Sequence, residues 1–469
     1  MKNHAFRTFG LLVAALGCLT LAARGQTAVT ETLAFLELPA EPGVFSAVGQ
    51  NQSSTRAIDG DWLFLSTVVT WEGEPQTSGF ILKVFRRSDD GWAYFQDIRS
   101  PDPEYSYWGS LDSFGARFVV KDQMVCVSAA TYSDHGRILG GNGRVYVYAF
   151  DGVQWTYKQA LRPIDFPVSP LASPNWVSSH YASALSFDGH RLVVGAMGQW
   201  PAGNDRYGLA YVYERQANDT FAFDALLAPP SLAQSGGYEV QFGRRVYVAG
   251  DRILVSTESD QATVRLYERG ASGWSVGAEF QVPQYPDFWS GEQWWGHSLA
   301  MDGDRIAIGS LREDALSSSP TDFIRVYRES TPGNWVLEQT LIVQGPGLNP
   351  SDSPEFGWDI VMQGDWMLVG ARSADPGYTA DPPYNRPGRA FLYYRDTGNG
   401  WTLVRDFANE YALVPGRPQR FNLFGDSVSA DWENGRLLIT CPGYLTPGPQ
   451  GSDTFYWGAV FLYDLELGS

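Results

Sequence analysis

An all-β, seven-bladed β-propeller built from four-stranded antiparallel blades is the fold the sequence predicts, and three observations predict it. The first is repetition. AIDGDWLFLST, FVVKDQMVCVSAA, LSFDGHRLVVGAM, VYVAGDRILVSTE, LAMDGDRIAIGSL, IVMQGDWMLVGAR and VSADWENGRLLITCP are one motif written seven times in 469 residues. Aligned starts near Gln52, Phe114, Tyr181, Phe242, Trp295, Phe356 and Phe424 give a period of 53 to 68 residues, a length that suits a radial β array. The second is that each copy holds four strand-like runs, the later ones resembling GRVYVYAF. The third is composition: 44% hydrophobic, 14% aromatic and 50 glycines suit a turn-rich β protein rather than a disordered one. One copy is too small to bury its own faces, so the repeat predicts a single closed domain over residues 26–469.

The fifth copy shows the elements in order. Strand A spans 296–301, and Asp302-Gly303-Asp304 turns the chain into strand B at 305–310. Asp-Gly between alternating apolar runs is a strong hairpin signal. A longer loop, 311–322, leads to strand C at 323–328, and a short Ser/Gly/Asn turn leads to strand D at 335–341. The C–D pair recurs at 143–150 and 155–161, 208–215 and 221–227, 263–269 and 274–280, and 389–395 and 401–407. An aromatic opens nearly every strand D and is expected to pack between neighbouring sheets. The last copy stops after its strand C at 459–464, while the N-terminal part carries an orphan strand at 32–38. That strand is predicted to complete blade seven, which removes an open edge and closes the ring.

Residues 1–25 read as a secretion signal. Lys2 and Arg7 supply the basic start, residues 11–23 the apolar stretch, and Ala23-Arg24-Gly25 the small residues before cleavage. A lipoprotein reading at Cys18 fits less well, because apolar sequence continues beyond it and Ala15 stands where Leu is preferred. No other segment has the run of apolar residues a membrane span needs. The predicted location is secreted or cell-surface. A net charge of -18 argues against nucleic acid and anionic membrane as partners. Cys126 and Cys441 lie in equivalent strands of copies two and seven and read as buried small apolar residues, not as a bridge.

Because strands alternate direction, A–B and C–D turns share one face while B–C and D–A loops share the other. The first set is short; the second is long and rich in Pro and aromatics, so recognition is expected on the long-loop face. Tyr105, Trp108, Trp176, Tyr285, Trp289, Tyr378, Tyr384 and Trp457 lie in these loops and are the candidate binding residues, alongside Tyr107 and Trp200. Aromatics there stack on sugars or anchor a protein partner; they also seal seams. Catalytic signals are weak. His135 and His180 fall in long loops, His190 in an A–B turn and His297 in strand A, and no HExxH or GxSxG pattern occurs. Asp102, Glu104, Asp112, Asp287 and Glu292 have the chemistry for an acid–base pair, but 52 acidic residues make chance proximity common. Asn218-Asp219-Thr220 matches a glycosylation acceptor.

Phe114-Gly115, Phe242-Gly243, Trp295-Gly296, Phe356-Gly357 and Phe424-Gly425 open strand A, and Gly195-Ala196 and Gly370-Ala371 close strand B, with Gly309-Ser310 close to them. This resembles the FG-GAP repeat, the blade unit of integrin-α-like seven-bladed propellers, most closely in its bacterial variety, over nearly all of residues 26–469. The resemblance implies an extracellular binding or adhesion propeller rather than an enzyme. Copies one and three depart from it, with Gln52-Ser53 and Tyr181-Ala182. Integrin-type blades often carry a DxDxDG calcium loop, but Asp59-Gly60-Asp61 and Asp302-Gly303-Asp304 lack the ligand count. No metal and no cofactor is expected.

The sequence thus predicts a monomeric, secreted, non-enzymatic propeller that binds an extracellular protein or glycan. Two other classes stay open: a carbohydrate-active hydrolase or lyase with a central pocket on the long-loop face, and a structural module of the cell envelope.

Overall fold

The computed structural model describes residues 28–32, 44–48, 56–71, 78–101, 114–129, 143–163, 181–197, 208–229, 241–257, 262–281, 293–312, 322–344, 354–374, 387–396, 398, 400–408, 423–442, 445–446, 455–456 and 459–466. Seven antiparallel sheets carry the predicted order A-B-C-D from the innermost strand outward. Blade three is typical, with Tyr181–Phe187, Arg191–Ala196, Leu209–Arg215 and Phe221–Leu227 side by side. Strand B is buried along its whole length in blades two and three, as a central strand covered on both faces must be. Blade one differs: its inner strand is split into Val44–Val48 and Arg56–Asp59, which share the long partner Trp62–Trp71. A two-stranded ribbon, Leu445–Thr446 with Phe455–Tyr456, sits within the predicted B–C loop of blade seven.

The ring closes through the N-terminus. Ala28–Thr32 pairs antiparallel with Ala459–Glu466, Ala28 opposite Glu466 and Thr32 opposite Leu462, and so supplies the fourth strand of blade seven. The sequence predicts this strand at 32–38; residues 33–38 lie outside the described residues. The paired segment AVTET is rich in β-branched residues, which favour a pleated edge. Blade seven then meets blade one: Leu438 and Leu462 pack with Ile58, Leu63, Leu65 and Phe85.

Apolar clusters fill the seams between consecutive blades. The aromatics that open strand D do pack there. Trp155 stacks edge-on against Phe64 of blade one at 5.0 Å, and Trp401 and Phe221 are buried in their seams. The repeated glycines explain the close approach. A Cβ on Gly195 at the end of one strand B would meet the carbonyl oxygen of Gly243 in the next blade at 2.0 Å. Gly243 itself has φ of 87°, where side chains are strained, and Ala182 holds the same position in blade three at φ of 67°.

Polar bonds repeat across the seams as well. Arg191 donates to the carbonyl of Gly250 at 2.8 Å, Arg252 to that of Gly303 at 3.1 Å, and Arg436 of blade seven to that of Gly60 at 2.7 Å. Asp188 and Asp302 accept from the amides of Gly250 and Gly364 at 2.8 and 2.6 Å. At these four seams the A–B turn of one blade is therefore bonded to its neighbour.

Candidate binding site at the axial mouth

The first residues of strand A lie where the D–A loops enter, at the long-loop end of the ring. There the inner strand leaves its ladder. In blade five the pairing jumps between Trp295 and Leu299, and in blade six between Phe356 and Ile360. In blades two and four the amides of Gly115 and Gly243 bond to the carbonyls of Ser128 and Ser256, whose own amides bond to the carbonyls of Arg117 and Arg245. The hydroxyls of Ser128 and Ser256 accept from the Arg117 and Arg245 amides at 3.2 and 3.1 Å. Such a bulge re-aims side chains. What it presents to the axis is the pair of residues that follows each Phe-Gly or Trp-Gly: Ala116-Arg117, Arg244-Arg245, His297-Ser298, Trp358-Asp359 and Asp426-Ser427.

These side chains converge. A run of ring contacts begins with Arg244 over Trp294 at 5.6 Å and Trp294 stacked on His297 at 5.7 Å. It continues with His297 against Trp358 at 4.4 Å and Arg372 over Trp358 at 3.1 Å. Arg245 Nε donates to the His297 carbonyl at 2.7 Å, and Ser298 Oγ donates to the Gly357 carbonyl at 2.6 Å. His297 is 4% exposed, and neither ring nitrogen has a hydrogen-bond partner among the described residues. Burial holds its pKa well below the usual histidine value, and the cations of Arg245, Arg244, Arg372 and Arg117 push the same way. His297 is therefore neutral at pH 7.

The mouth is electrostatically divided. On one side Arg372 pairs with Glu355 at 2.9 Å and with Asp426 at 3.2 Å. Burial raises the Asp426 carboxyl, opposed chiefly by Arg372. Arg56, 3% exposed, has all three guanidinium nitrogens without a partner among the described residues, and burial lowers its pKa to about 10. On the other side stand Arg117, Arg244 and Arg245. Burial lowers all three, and the positive charge of Arg117 lowers Arg244 and Arg245 further. The carboxylate that opposes the shift of Arg117 and Arg245 is Asp359. Its oxygens already accept from the Val428 amide at 2.9 Å, the Ser427 hydroxyl at 3.2 Å and the Ile360 amide at 3.1 Å.

The eight loop aromatics proposed from sequence, Tyr105, Trp108, Trp176, Tyr285, Trp289, Tyr378, Tyr384 and Trp457, lie outside the described residues, as do Tyr107, Trp200, His135, His180 and the five loop carboxylates. Of the two described histidines, His190 stands 3.1 Å from Glu214 at an A–B turn, far along the strand from the mouth. His297 is at the mouth. Cys126 and Cys441 are buried and form no disulfide with each other, as read from sequence. The arginines of the mouth were missed. The available signal was charge directly after Phe-Gly, where an innermost strand otherwise calls for apolar residues.

Fold and site together define a seven-bladed β-propeller with a polar axial mouth. No family model matches this chain, and no curated protein matches it. Among solved structures it is similar to Saccharomyces cerevisiae Sqt1, with a TM-score of 0.39 and 11% identity over 84% of this chain and 82% of that one. It is also similar to the periplasmic gluconolactonase PpgL of Pseudomonas aeruginosa, with a TM-score of 0.41 and 12% identity over 86% of this chain and 99% of that one. Among the described residues, no helix is long and apolar enough to cross a membrane.

Proposed function

We propose that the chain is a secreted, FG-GAP-type propeller that binds an extracellular protein or glycan at the axial mouth of its long-loop face and does not turn it over. The observation that carries this reading is the convergence on the axis of the residues after Phe-Gly or Trp-Gly in blades two, four, five, six and seven. A plain structural ring has no need of five charged side chains and an indole there, since apolar residues seal an axis at lower desolvation cost. Concave sites that combine aromatic walls with a few polar groups are the usual form of a ligand pocket. The FG-GAP reading is supported by the glycine pairs that meet across seams, Gly195 with Gly243 and Gly370 with Gly425. In this reading Tyr105, Trp108, Trp176, Tyr285, Trp289, Tyr378, Tyr384 and Trp457 form the outer rim of the same face.

The test is an array of glycans and extracellular proteins probed with the intact chain, with mass spectrometry of whatever binds. Binding without product, reduced by Trp358→Ala or Trp108→Ala, is expected. Release of a cleaved or eliminated sugar would move the chain to the enzyme class. Binding unaffected by substitutions at the mouth would place the site elsewhere.

A further inference from the structure

Arg56 breaks the pattern of the inner strands. It opens Arg56–Asp59 and stands opposite Leu65, the fourth residue of the strand B that begins at Trp62. In the other six blades the place opposite that fourth residue is held by Phe118, Leu185, Val246, Leu299, Ile360 and Val428. All six are apolar, and each packs in the seam with the preceding blade. Ile58, Leu63 and Leu65, on the same face as Arg56, pack against Leu438 and Leu462 of blade seven, so Arg56 enters the seam that closes the ring. It is 3% exposed, and none of its three guanidinium nitrogens has a hydrogen-bond partner among the described residues. Thr67, two residues beyond Leu65, shares that face. It is fully buried, and its hydroxyl also lacks a partner among the described residues. A diagonal cross-strand neighbour of this kind is within reach of a long side chain. The nearby charges are committed elsewhere. Lys83, opposite Leu65 on its other side, pairs with Asp97 at 3.2 Å. The Ile58 amide bonds to Ser429 Oγ at 3.4 Å, which sets the inner strands of blades one and seven side by side. Asp426, three residues before Ser429, pairs with Arg372 at 3.2 Å.

We propose that Arg56 and Thr67 form a subsite for one carboxylate, buried in the seam between blades seven and one at its mouth end. A guanidinium keeps its charge in a folded protein, and a charge held out of water without a counter-ion is costly. A carboxylate brings two coplanar oxygens to the guanidinium fork, and either oxygen also accepts from the Thr67 hydroxyl. One cation balances one negative charge. A dianion such as sulfate would carry a second charge, unbalanced, into the same seam. The inference does not require that the mouth take a larger ligand.

The experiment is thermal unfolding of the intact chain at pH 7 in sodium acetate, sodium chloride and sodium sulfate at equal ionic strength, for the parent and for Arg56→Leu. Leu185 and Leu299 hold the same place in blades three and five, so the variant is expected to fold. In chloride it should melt no lower than the parent, because apolar contact replaces a buried unpaired charge. The parent should show a saturable rise in melting temperature with acetate, about 1 °C or more above chloride, and Arg56→Leu should lose it. Thr67→Val, which keeps the shape and removes the hydroxyl, should raise the acetate concentration at half-effect several-fold. An acetate rise of equal size in parent and Arg56→Leu, or in neither, would overturn the subsite. A larger Arg56-dependent rise in chloride or sulfate would overturn the carboxylate assignment. An unchanged half-effect concentration in Thr67→Val would overturn the part given to Thr67.

Discussion

The side-chain amide of Gln159 grips the backbone of Phe221 in the next blade at both polar groups: Nε2 donates to the carbonyl at 3.0 Å and Oε1 accepts from the amide at 2.7 Å. The same grip joins Gln96 to Trp155 and Gln339 to Trp401, with distances of 2.8 and 2.9 Å in each pair. In all three cases the glutamine follows a bulge in strand D, where pairing with strand C skips Lys158, Phe95 and Glu338 respectively. The bulge turns the glutamine sideways toward the neighbouring blade. The outer strands are thus tied together where the seams are widest.

Gln159→Ala removes both bonds and leaves two backbone groups of Phe221 without that partner. A loss of about 2 kcal/mol is expected from two hydrogen bonds at a partly buried site. Thermal unfolding of the variant should start at a lower temperature, and Gln159→Glu, which cannot donate, should recover little of it.

The two classes of glycine separate by substitution. Gly195→Ala places a Cβ against the Gly243 carbonyl, so the seam must open; about 3 kcal/mol or more is expected. Gly303 has φ of 55° with open space around its missing Cβ, so Gly303→Ala should lose only about 1 kcal/mol, through backbone strain alone. Urea melts of both variants check the order; a larger loss at Gly303 would refute the seam explanation of the repeated glycines.

Removal of residues 26–32 deletes the strand Ala28–Thr32 and leaves Ala459–Glu466 as an open edge. A lower melting temperature is expected, together with association of the truncated chain through that edge on size-exclusion chromatography. An unchanged melting temperature in a monodisperse sample would contradict closure by this strand.

Acid should weaken the fold through His297. Its folded pKa lies well below 6.5, so in the interval beneath 6.5 the unfolded chain binds a proton that the folded chain does not. Stability is then fully present above 6.5 and falls as pH drops from there toward the folded pKa, with a slope that approaches about 1.4 kcal/mol per pH unit. Asp359 and Asp426, raised above 3.8, act in the opposite sense nearer the carboxylate range. Denaturation between pH 7 and 5.5 of the parent chain and of a His297 variant, compared, isolates the histidine. His297→Phe should flatten the profile in that interval; an unaltered slope would count against a buried neutral imidazole.

Much of the fold was legible because its determinants are local or periodic. Asp302-Gly303 dictates a hairpin within a few residues, and Phe242-Gly243 announces the start of an inner strand each time it recurs. The orphan N-terminal strand was legible as a missing partner for 459–464, but its register was not, because Ala459–Glu466 chooses which residues it pairs. The Gln159 grip was invisible, since it depends on a bulge that tertiary packing imposes. The mouth was hidden for a different reason. Arg117, Arg245, His297 and Asp359 come from four copies, one or two residues each, and only closure of the ring brings them together. Loops dense in aromatics are the conspicuous signal in the sequence, whereas the charges of the mouth stand at the start of the inner strands.

The most direct test of the mouth as the binding site is a crystal structure of the chain soaked with the tightest ligand from the array. The ligand should sit on the axis at the long-loop end, within hydrogen-bond distance of Arg117 or His297 and beside Trp358. A ligand bound on the outer strands, or on the face that carries the Asp-Gly turns, would contradict it.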